Sequence, residues 1–117
     1  MAYEIAIFDA AAAPRVDDDE FLAWYSAQLT PDDDPDIGTV GMRIWFSDFS
    51  QDFPATNGPY ADAKDGTTRY EFGRTMTRAF CPDGDAKKAA ADARAIAGKN
   101  AVGYFNPNPG DLRLFFP

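Results

Sequence analysis

The chain has no histidine and one cysteine, Cys81, in 117 residues. Without histidine there is no Ser-His or Cys-His nucleophile. Nor is there a side chain whose ordinary pKa places a general base near neutrality. A single cysteine excludes an internal disulfide and a multi-cysteine zinc site. Positive charge is also scarce: 11 Lys and Arg stand against 19 Asp and Glu, a net charge of −8. That balance disfavours nucleic acid and anionic membrane surfaces, which need clustered Lys and Arg. No apolar run approaches the roughly 20 residues of a membrane span. The N-terminal segment has no basic start and is broken by Glu4 and Asp9, so it does not read as a secretory signal. These absences lead us to expect a cytoplasmic protein that binds neither membrane nor nucleic acid.

Aromatic residues are plentiful. Ten Phe, five Tyr and two Trp make up 15% of the chain, and each can bury roughly 150–250 Å². A disordered chain of high charge would lack them. The length suits a single domain spanning residues 1–117.

Residues 3–8 are short, β-branched, aromatic and almost continuously apolar, which predicts a central strand buried on both faces. Asp17, Asp18, Asp19 and Glu20 open a helix, because carboxylates satisfy free N–H groups and the positive end of the dipole. Phe21, Leu22, Tyr25 and Leu29 form its apolar stripe, widened by Trp24, and Thr30-Pro31 ends it. An acidic loop, residues 32–36, precedes a second helix over residues 38–53. Met42, Trp45, Phe46, Phe49 and Phe53 give that helix a core-facing stripe. Residues 55–66 read as loop with turns.

Residues 67–81 form the longest β-like run. Either Gly73 marks a bulge in one strand, or a tight hairpin forms near it. Pro82 to Asp85 is a turn and cap. Ala86, Ala89, Ala90, Ala93, Ile96 and Ala97 then line one narrow helical face, suited to lying close on a sheet, and Gly98 is placed as its C′ residue. Residues 101–105 are a strand. Asn108-Pro109-Gly110-Asp111 is a type II turn, and residues 112–116 return as the last strand. The expected order is β-α-α-β(β)-α-β-β, an α+β domain with an antiparallel or mixed sheet and its helices on one face.

Catalytic chemistry is sparse. Asp32, Asp34 and Asp36 have the spacing that begins a calcium loop. Ile37 stands where that loop needs Gly and Arg43 where it needs a bidentate Glu. We therefore expect no metal, no cofactor and no catalytic residues. Cys81 reads as a small buried hydrophobe.

The acidic clusters are the candidate functional feature. Asp17, Asp18, Asp19 and Glu20 lie before one short helix, and Asp32, Asp33, Asp34 and Asp36 after it, with Trp24 and Tyr25 between. An acidic rim around aromatics suits docking of a basic protein, since complementary charge speeds encounter and aromatics supply buried contact. The bland alternative is capping and solubility.

Several segments together resemble a group of small, largely uncharacterised bacterial α+β proteins. They are the Tyr3-Glu4 strand, the Asp17 to Phe21 helix start with Trp24-Tyr25, the Val102-Gly103-Tyr104-Phe105-Asn106-Pro107 strand and the short terminal strand ending at Pro117. Some members of that group are similar to immunity proteins of polymorphic or contact-delivered toxin systems. The resemblance implies an inhibitor that binds and blocks a basic toxin, a nuclease for example, and it transfers no functional residues. Two alternatives stay open. One is an acidic accessory module of a larger assembly. The other is a small-molecule-binding α+β protein, with Arg69, Arg74 and Arg78 as anion-binding candidates.

Overall fold

The computed structural model describes residues 2–117. Its strands are β1 (Ala2–Phe8), β2 (Arg69–Phe72), β3 (Met76–Pro82), β4 (Gly103–Asn106) and β5 (Arg113–Phe115). Its helices are α1 (Asp18–Ala27), α2 (Val40–Phe49) and α3 (Ala86–Lys99). The sheet order is β2-β3-β1-β4-β5, and every pairing is antiparallel. The α+β class and the expected order of elements both hold. β1 is central, as its unbroken apolar run requires.

The run over residues 67–81 is a hairpin. Gly73 N donates to Met76 O at 2.8 Å to close it, and Glu71 then faces Arg78 across the two strands. Asp111 N donates to Asn108 O at 3.0 Å, with Gly110 at φ 84°, so the type II turn between β4 and β5 is present.

The helices do not share one face. Tyr3, Ile5 and Ile7 meet α2 and α3 through Trp45, Phe49, Ala89, Ala93 and Ala97. Ala6 and Phe8 point the other way and meet Phe21 and Tyr25 of α1. A central strand that is apolar at successive positions has two faces to bury, so one helix layer could not suffice. On the α1 side the ring of Phe8 lies over Gly103, where an added Cβ would come within 2.1 Å of it.

Helix ends also differ from expectation. α1 stops at Ala27, because Gln28 turns extended at ψ 137°. Leu29 is therefore off the helix and 82% exposed, and Leu22, one position past Phe21, is rotated out to 37% exposure. The α1 stripe consists of Phe21 and Tyr25 with Trp24 beside them. α2 is shorter than predicted, starting after its cap Thr39, yet its whole predicted stripe is buried. Gly98 lies inside α3 rather than beyond it; Ala101 takes the left-handed C′ position instead, at φ 54°.

Candidate functional site

The acidic segments have local structural duties. Asp17 Oδ1 accepts from Glu20 N at 2.9 Å and caps α1. Asp32 pairs by both backbone groups with Phe72 on the outer side of β2. Asp33 Oδ1 accepts from Asn57 Nδ2 at 2.8 Å, and Asp34 Oδ1 accepts from Asp36 N at 2.9 Å to cap a 3-10 turn, Pro35–Ile37. Asp32 thus covers part of the open edge of β2, while Asp33 and Asp34 brace the loop around it, a use that spacing alone did not reveal.

The side chains of Asp18, Asp19, Glu20 and Asp36 are exposed and form no ion pair among the described residues. Trp24 is half-buried against Phe8 and Phe21. Tyr25 is 5% exposed, so it is core and offers no contact to a partner. The ten-residue α1 spans about 15 Å. It separates the two acidic clusters, and Leu22 and Leu29 are the apolar groups exposed between them.

The proposed anion-binding arginines are unavailable or isolated. Arg78 is committed to α1, donating to Tyr25 O at 2.6 Å and Gln28 O at 3.1 Å. Arg69 pairs with Glu71 at 2.7 Å, and Arg74 is exposed at the hairpin turn. Cys81 is buried in the core, where burial pushes its thiol up to about 12. That suits the small-hydrophobe reading.

A cavity of about 730 Å³ lies elsewhere: between α3, β5 and the turn that joins β4 to β5. It exists because α3 is built from alanine. Ala89, Ala93 and Ala97 bring the helix close over the middle of the sheet. The neighbouring row, Ala86 and Ala90, is too small to fill the space above β5.

The cavity has a buried polar floor and a charged, exposed rim. At the floor, Asn106 Nδ2 donates to Tyr3 Oη at 2.7 Å and to Tyr104 Oη at 3.3 Å. Asn106 Oδ1 accepts from Asn108 N at 3.0 Å and from Asn108 Nδ2 at 2.6 Å. Tyr3 Oη donates to Asp111 Oδ2 at 3.0 Å. Burial raises the pKa of Tyr3 and pushes Tyr104 up to about 12, so both are neutral phenols at pH 7. Lys87, Arg94 and Arg113 stand at the rim, and the Arg94 guanidinium lies 3.4 Å over the ring of Phe115.

None of the sequence-predicted site residues lines this cavity. The signals for it were Asn106 beside Asn108 and the alanine face of α3, and neither reveals a hollow without the fold. Among the described residues no helix is long and apolar enough to cross a membrane. No group of three or more His, Cys, Asp and Glu among them is arranged to hold a metal. No family model, curated protein or solved structure matches the chain.

Proposed function

We propose that this domain binds a small molecule in the cavity between α3 and β5, and that it binds without catalysing a reaction. One observation carries the reading: a cavity of about 730 Å³ whose floor is a buried, hydrogen-bonded Tyr-Asn-Tyr cluster. Ligand sites have roughly this volume, about 300–1,000 Å³, with few and fixed polar groups among apolar walls. A polar cluster under an open cavity gives a ligand direction as well as surface.

A fragment screen by ¹⁵N-resolved NMR tests it. Binding fragments should shift the amide signals of Tyr104, Asn106 and Ala90 together. Ala90→Phe fills the cavity from the helix side and should abolish those shifts in a protein that still folds. If no fragment shifts those signals, or if Ala90→Phe leaves the shifts unchanged, the reading fails.

A second reading is supported by a different place. The outer side of α1 exposes Leu22, and the segment after the helix exposes Leu29, near carboxylates that form no ion pair among the described residues. That combination suits a basic protein, and it fits an immunity-like inhibitor that blocks a cationic toxin, such as a nuclease, in the cytoplasm. Co-expressed with the product of the neighbouring gene, the protein should co-purify with it, and changing Asp18, Asp19 and Glu20 to Asn, Asn and Gln together with Leu29→Ser should abolish that. Retention of that partner at wild-type yield would sink it.

A further inference from the structure

Hydrogen-bond direction inside the cavity floor narrows the ligand class. Asn108 donates twice to Asn106 Oδ1, so the Asn106 amide must present its NH₂ to both tyrosine oxygens. Each phenol therefore accepts from Asn106 and has one proton to place. Tyr3 places its proton on Asp111. Tyr104 is 3% exposed and lines the cavity, and no described residue accepts its proton. The Tyr104 hydroxyl proton is therefore available to an acceptor atom that enters the cavity.

Charge at the rim points the same way. The protein carries a net charge of −8, yet Lys87, Arg94 and Arg113 border this one cavity. None of the three forms an ion pair among the described residues. The single carboxylate beside them, Asp111, already accepts from Tyr3. The remaining walls are apolar, from Ala86, Ala90 and Phe115.

Resting on the small-molecule reading above, we infer that the ligand is a small oxyanion with an apolar body. One of its oxygens accepts the Tyr104 hydroxyl proton, and its charge faces Arg94 and Arg113. Carboxylates and phosphate monoesters share this chemistry.

Three probes of similar shape separate the cases: phenylacetate, phenyl phosphate and the neutral phenylacetamide. In NMR titrations of the full chain, one or both anions should shift the Tyr104 and Asn106 amides, and whichever binds more tightly identifies the anion. Phenylacetamide should leave them in place. Tyr104→Phe keeps the ring and should weaken the anion about tenfold, the worth of one hydrogen bond to a charged acceptor. Tyr60→Phe, on an exposed ring outside the cavity, should change nothing. If Tyr104→Phe does not fold, Arg113→Gln on the exposed rim replaces it, with the same loss expected.

Binding of the amide as tightly as the anions would overturn the oxyanion inference and leave the small-molecule reading intact. So would anion binding unaffected by the variant. A silent cavity towards the whole fragment screen, charged and neutral alike, would overturn both.

Discussion

The guanidinium of Arg78 lies 4.6 Å from the centre of the Tyr25 ring and also donates to the Tyr25 carbonyl at 2.6 Å. A second nitrogen donates to Gln28 O at 3.1 Å and to Thr30 Oγ1 at 2.8 Å. A strand residue thereby caps the C-terminus of α1, which has no basic residue in its own last turn. Lysine cannot reproduce this, because its ammonium is a point donor and cannot span the fork. Arg78→Lys should cost about 2–3 kcal/mol in urea unfolding. A loss under about 0.5 kcal/mol would mean that α1 docks through Phe21 and Tyr25 alone.

Ala101 sits at the left-handed C′ position of α3, with Val102 N donating to Ala97 O at 3.1 Å. Only glycine adopts that conformation without a Cβ penalty. Ala101→Gly should therefore stabilise the protein by about 0.5–1 kcal/mol, despite the greater freedom it gives the unfolded chain. Thermal unfolding of the variant should show a higher Tm, and a lower one would refute the assignment of the helix end.

How far the fold was legible follows from residues such as these. The stripe from Met42 to Phe53 is apolar at helical spacing and mostly polar between, and it is buried as the spacing demands. β1 read as central because both of its faces are apolar, yet that same fact should have placed helices on both sides. Leu29 misled because period alone does not say where a helix stops; the extended backbone at Gln28 decides it. The cavity was not legible, since it arises from side chains too small to meet. Tyr3 and Asn106, its joined floor residues, lie 103 positions apart.

Asn57 protects an edge. Its Nδ2 donates to Tyr70 O at 2.7 Å and its Oδ1 accepts from Tyr70 N at 2.9 Å, so one side-chain amide imitates a neighbouring strand. With Asp32 paired to Phe72, the outer side of β2 is closed to other chains. Asn57→Ala should expose the backbone of Tyr70, cost about 1–3 kcal/mol, and raise the tendency to self-associate. Light scattering at rising protein concentration should show oligomers absent from the parent. A monomeric variant of unchanged stability would show that the Asp32 bridge closes the edge by itself.

Glu4 gives the pH dependence its sign. Burial is the largest influence on its carboxyl and raises the pKa above the ordinary 4.5, while Arg78 at 4.0 Å opposes this and Glu71 adds to it. The folded state therefore holds the Glu4 proton more tightly than the unfolded state does. Below pH 4.5 both states are protonated and the group is neutral to stability. As pH rises through that value towards the folded-state value, the unfolded chain ionises first and the fold loses stability. Glu4→Gln cannot ionise and escapes the loss. Its stability relative to the parent should rise with pH across this window and then level off, as read from urea midpoints at each pH. A difference that falls with pH would show that the partnership with Arg78 outweighs burial.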